Sequence, residues 1–157
     1  MTDPTLEAAR AIFEESLEGL RGAIAGASPD TLNARPAGDD TNPIAVLAVH
    51  AVHSTRMWFS IATGQGQPER DRPAEFVVRA DHADGLLATV EGLADACRAA
   101  LDAAGPFDPG AVRTVTWPAS GEVEEVTSAW GLLHGLEHLR EHVAHAQLTR
   151  QLLDARP

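Results

Sequence analysis

Four of the seven histidines fall within twelve residues, at His134, His138, His142 and His145. Leu, Gly, Glu, Arg, Val and Ala stand between them, so the segment is neither a purification tag nor an unstructured histidine tract. At about 100° per residue the four occupy an arc of about 80° on one helix face. His50 and His53 sit about 60° apart on a second segment of helical periodicity. Imidazoles spaced i, i+4 project over the same groove and can converge on one ion. A third ligand from a facing helix then leaves coordination positions open for water or substrate. Helix bundles commonly build metal sites in this way. The competing reading is a hydrogen-bonded polar core, or a site that has lost its metal. Buried neutral imidazoles need partners, however, and Glu137, Glu141 and Gln147 lie too far round the helix to serve every one.

The elements that must carry these residues are legible in the pattern. Asp3 as N-cap and Pro4 at the first helical position open a helix. Its stripe of Leu6, Ala9, Phe13, Leu17, Leu20 and Ile24 should end near Gly26. Residues 27–42 have loop composition. A second helix is expected from Pro43 to Thr63, stopped by Gly64, with Val46, Val49, His50, His53, Met57 and Ile61 facing inward. Gly66 to Arg72 is expected to be an exposed connection. A third helix is expected from about Arg79 to Ala104, before Gly105-Pro106. Two β-branched runs, residues 112–117 and 123–126, flank Pro118-Ala119-Ser120-Gly121 and suggest a hairpin. A last helix should then run from Thr127 or Ser128 to Leu153. The expected fold is all-α, a four-helix bundle with a short β-hairpin before the last helix, in one domain over residues 1–157.

Composition narrows the function classes. The net charge is -11 and all twelve basic residues are Arg, so phosphate backbones are repelled and nucleic-acid partners are not expected. No run is apolar for the roughly 18 to 20 residues a bilayer requires, and the N-terminal residues are acidic and lack the basic n-region expected of a signal peptide. The expected compartment is the cytoplasm, with no membrane association. The only cysteine, Cys97, is expected to be a small buried hydrophobe. His82 is expected to be solvated near a helix start, and Trp58, Trp117 and Trp130 to serve as core or cavity wall. No Gly-rich phosphate loop, nucleophile elbow or Cys-x-x-Cys occurs. His138-Leu139-Arg140-Glu141-His142 places Glu in the wrong slot for a His-Glu-x-x-His zinc motif.

Three features together resemble the DinB-like superfamily, which includes thiol-dependent maleylpyruvate isomerases and S-transferases. They are Leu32-Asn33-Ala34-Arg35-Pro36; Asn42-Pro43-Ile44 followed by His50, Arg56, Trp58 and Phe59; and Leu133-His134-x3-His138-x3-His142. The resemblance spans nearly the whole chain. It implies His50, His138 and His142 as ligands of a divalent transition metal, zinc first and nickel as the alternative. His53, His134 and His145 would then surround them. It departs from the family pattern where Val143-Ala144-His145 replaces Arg-Gly-Gln, and at Thr55, where some members are acidic. The implied activity is attack of a low-molecular-weight thiol on a small electrophile, as an S-transferase or isomerase. The alternatives are a metal-dependent hydrolase and a non-catalytic metal-binding stress or interaction protein. A homodimer is also implied, covering outer Ala and Leu residues, with the Trp117 hairpin as a candidate contact.

Overall fold

The computed structural model describes residues 3–117 and 119–156. Four long helices form the bundle: α1 (Pro4–Ile24), α3 (Ile44–Ala62), α5 (Ala83–Asp102) and α6 (Ser128–Asp154). Two short helices, α2 (Pro29–Asn33) and α4 (Arg72–Glu75), lie in the connections. The hairpin of β1 (Val112–Thr116) and β2 (Val123–Thr127) is antiparallel, with Val112 opposite Thr127 and Thr116 opposite Val123. Pro118, expected in its turn, lies outside the described residues.

Local chemistry explains the boundaries. Asp3 accepts from the backbone N–H groups of Thr5 and Leu6 and so caps α1. Gly64 takes the left-handed backbone (φ 83°) directly after the α3 C-cap, which ends that helix. Thr127 is at once the last residue of β2 and the N-cap of α6, its hydroxyl accepting from the Trp130 N–H. The hairpin therefore feeds straight into the histidine-bearing helix and sets its direction.

α3 is the central element, packed between α5 and α6, with α1 closing the far side against α6 and α5. Seventeen of its nineteen residues are buried, leaving only His53 and Arg56 half-exposed. An amphipathic stripe is thus too modest a description of α3, which is buried nearly all round because neighbours surround it, with His50, Ser54, Thr55 and Ser60 among its buried residues. Where α6 crosses α3, Gly135 permits close approach: a Cβ there would lie 2.8 Å from Cβ of Trp58. Gly135→Ala is expected to destabilise the fold by about 1–3 kcal/mol through overpacking. Gly22→Ala, whose Cβ would enter open space on α1, should instead be neutral or slightly stabilising. Thermal midpoints of the two variants distinguish packing at α3–α6 from generic helix propensity.

Three expectations need correction. Residues 27–42 contain α2, started by Ser28, which accepts from the Thr31 N–H, and by Pro29 in the first turn. The third long helix begins at Ala83, later than the expected Arg79. Asn33 holds Ala80 outside it, donating to the Ala80 carbonyl at 2.7 Å and accepting from its N–H at 2.9 Å. His82 is exposed, as expected, and also caps α5 by accepting from the Gly85 N–H. Finally, the segment from Gly66 to Arg72 is not simply an exposed connection. Gln67 pairs with both backbone groups of Thr116 on β1, and the side chain of Arg70 is 6% exposed.

Candidate metal centre

α3 and α6 cross antiparallel, so Trp58 meets Trp130 and His134 while His50 meets His138 and His142. The ring centroids of the last three are 5.2 Å (His50 to His138), 5.0 Å (His50 to His142) and 4.4 Å (His138 to His142) apart. One ligand nitrogen from each lies within 4.8 Å of the other two. The Nε2 atoms of His138 and His142 are 3.3 Å apart. A tetrahedral ion with bonds of about 2.0 to 2.1 Å would separate two ligands by about 3.3 to 3.4 Å. The i, i+4 pair is therefore set at a separation that such an ion requires.

His50 is held from behind. Its Nδ1 donates to Oε2 of Glu75 at 2.8 Å, and Glu75 is 3% exposed. Arg70 grips the same carboxylate with two bonds, Nε to Oε1 at 2.5 Å and Nη2 to Oε2 at 2.7 Å. Because Nδ1 and Nη2 both donate to Oε2, the 3.2 Å between them follows from the shared acceptor. With Nδ1 carrying the proton, the Nε2 lone pair of His50 is the one left for the histidine cluster, the arrangement carboxylate-backed metal histidines adopt. The Phe76 ring packs on His50 at 4.8 Å and fixes its plane.

The electrostatics favour unprotonated donors. Burial, followed by repulsion from His142 and His50, pushes the pKa of His138 down to about 3. Burial, followed by His50 and His145, takes His142 to about 4. Among the described residues nothing hydrogen-bonds the buried Nδ1 of His138, so no acceptor stabilises its imidazolium. Burial alone would raise the carboxyl of Glu75, but hydrogen bonds from Arg70 and His50 outweigh it and hold the group below its ordinary value. The centre thus presents two neutral imidazoles and a third backed by a carboxylate, a donor set that fits a divalent transition metal.

The other sequence candidates stand apart. His53 is half-buried on α3 and outside the converging trio, with its pKa lowered first by burial. His145 is exposed. His134 stacks on Trp130 at 4.6 Å and makes a T-shaped contact with Trp58 at 4.8 Å, with Trp117 beyond. The three tryptophans and His134 form an aromatic wall beside His138, 6.1 Å from His134 by ring centroids. Cys97 is fully buried against the Val52 carbonyl and its thiol is pushed up to about 12, which suits a small hydrophobe. Glu75 and Arg70 were not foreseen. The Asp71-Arg72-Pro73 cap signal marks a short helix, but nothing in the local pattern says that it folds back onto His50.

The DinB-superfamily model matches residues 5–146. The chain belongs to the DinB superfamily. A crystal structure of a conserved protein from Enterococcus faecalis superposes on this DinB-superfamily bundle with a TM-score of 0.73. It covers 99% of each chain at 15% identity, and so shares the fold. No curated protein matches the chain. No described helix of this DinB-superfamily member is long and apolar enough to cross a membrane.

The depressed histidines make stability depend on pH. In the unfolded chain His138 and His142 titrate near 6.5, above their folded values of about 3 and about 4. Their contribution is full above pH 6.5 and is lost as pH falls toward 4 and below, because the unfolded chain takes up protons first. Glu75 acts in the same direction lower down, its contribution lost as pH falls below the unfolded value of about 4.5. The metal-free protein should therefore unfold at progressively lower denaturant concentration from pH 7 to pH 4. An unchanged midpoint between pH 7 and pH 5 would contradict the buried, neutral assignment of the pair.

Proposed function

We propose that the chain is a divalent-metal-dependent enzyme that activates a low-molecular-weight thiol for attack on a small electrophile, as an S-transferase or isomerase. The observation that carries this reading is the convergence of His50, His138 and His142 with a buried carboxylate behind His50. The three imidazoles would hold the ion, zinc by preference and nickel as the alternative. When bound, the ion supplies Lewis acidity, lowering the pKa of a coordinating thiol from its free value of about 8.5 so that thiolate is available near neutral pH.

The chain's own residues account for the rest. Neutral imidazoles leave the ion's positive charge undiminished, where carboxylate or cysteine ligands would reduce it. Glu75 fixes the His50 tautomer and leaves its Nε2 free, while Arg70 orients Glu75 and helps hold its carboxyl below the ordinary value. Phe76 packs on His50, and the tryptophan wall flanks His134 beside His138.

The test is a thiol-transfer assay on metal-loaded protein, pairing 1-chloro-2,4-dinitrobenzene with a panel of thiols. Saturable metal-dependent turnover with at least one thiol is expected, falling at least about 100-fold in His142→Ala. Thiol-independent, metal-dependent ester hydrolysis would replace the transferase reading with a hydrolase. Metal binding with neither activity across broad panels of thiols and electrophiles would favour a non-catalytic metal protein.

A further inference from the structure

A cavity of about 200 Å³ lies one helical turn from the histidine centre, lined by Arg35 and Arg79 with an apolar surround that includes Pro43, Val46 and Phe76. None of its lining side chains is acidic. Phe76 belongs to both places, since its ring also packs on His50. Val46 precedes His50 by four residues on α3, which is about 6 Å along the helix axis.

Two of the six arginines that hold no carboxylate among the described residues meet at this one cavity. At a net charge of -11 most of the molecule repels anions. Arg10, Arg21, Arg70, Arg98, Arg140 and Arg150 each hold a carboxylate. Arg79 has no hydrogen bond or ion pair among the described residues. Arg35 is fixed through Nη1 to the carbonyls of Asp39 and Thr41. Those neutral acceptors position its guanidinium without cancelling its charge. Pro43 brings the start of α3 to the same cavity, and that helix has neither a side-chain cap nor an acidic residue in its first turn. Its end adds positive potential to that of the two arginines. The volume is below the range of about 300 Å³ upward that encloses a whole drug-sized ligand, and suits one end of a molecule.

We propose that this cavity is a carboxylate subsite, holding the anionic end of a co-substrate whose reactive end lies at the histidine centre. Its planar guanidinium donors match a carboxylate edge, and the valine and phenylalanine surfaces match a short apolar stem. The link to the histidine centre rests on the function proposed above; binding of the carboxylate does not.

The two parts separate experimentally. Metal-free protein labelled with ¹⁵N and ¹³C is titrated with 4-methylpentanoate, with the matched alcohol 4-methylpentan-1-ol, and with inorganic phosphate, following arginine Nε–H and valine methyl resonances. Saturable shifts at Arg35, Arg79 and Val46 are expected with the acid only. Arg79→Gln should weaken the acid about tenfold, the scale of a lost charge-assisted hydrogen bond, with Arg79→Lys intermediate. Absence of saturation, equal binding of the alcohol, or an unaffected Arg79→Gln variant would overturn the subsite. Tighter binding of phosphate at the same resonances would overturn the carboxylate assignment in favour of a phosphate ester. With metal-loaded protein, Arg79→Gln should raise KM for 6-mercaptohexanoate about tenfold, selectively over 6-mercaptohexanol. Acid binding in a protein that takes up no metal would sink the histidine reading and leave the subsite standing.

Discussion

Glu75→Ala is expected to lower the stability of the metal-free protein by about 3–5 kcal/mol, the usual penalty for breaking a buried ion pair and stranding one partner. Glu75 is 3% exposed and the Arg70 side chain 6%, so neither charge has solvent to fall back on. The substitution also removes the acceptor from His50 Nδ1. For a chain of 157 residues the corresponding fall in Tm is about 6 to 20 °C. Glu75→Gln keeps an oxygen for His50 while deleting the charge that Arg70 grips, and should fall between wild type and Ala. Thermal unfolding of all three in chelator measures this. A Glu75→Ala protein within about 1 kcal/mol of wild type would mean that the Arg70–Glu75–His50 chain contributes nothing to the fold.

Substitution within the histidine cluster should split the residues into two groups by metal retention. His142→Ala deletes one donor of the converging trio and should weaken metal binding by more than about 100-fold, beyond the 10- to 100-fold typical of changes around a ligand. His145→Ala, at an exposed position three residues on, should retain the metal. His134→Ala should retain most of it, because its ring is occupied with Trp130 and Trp58. Competition against a fluorescent chelator resolves these affinities. Equal retention in all three variants would mean that the cluster is a polar core.

What was legible in the sequence had strong local signals. Asp3-Pro4, Gly64 and the β-branched runs of the hairpin each act within a few residues, and the elements they mark were found close to their expected ends. The pair His138 and His142 was legible for a related reason: helical spacing places them side by side whatever the rest of the fold does, whereas the choice of His50 as their partner came from the family resemblance. The residues behind His50 were not legible. Arg70 and Glu75 reach His50 across 20 and 25 positions of chain, through a segment whose proline, glycine and charge read as solvent-exposed. The pairing of Gln67 with Thr116 ties that segment to the hairpin, a contact 49 residues away along the chain. Likewise Asn33 delays α5 through a contact 47 residues away, which no helix-start rule can register.

The most direct test of the metal centre is X-ray absorption spectroscopy on untagged protein loaded with zinc, together with its metal content. One ion per chain is expected, with an edge fine structure fitted by three imidazole nitrogens at about 2.0 to 2.1 Å and lighter donors completing the shell. The imidazole signature should be lost in a His50→Ala, His138→Ala, His142→Ala triple variant. Failure of the wild-type chain to bind zinc or nickel, or one ion per chain retained with an unchanged imidazole count in the triple variant, would contradict a centre built from His50, His138 and His142.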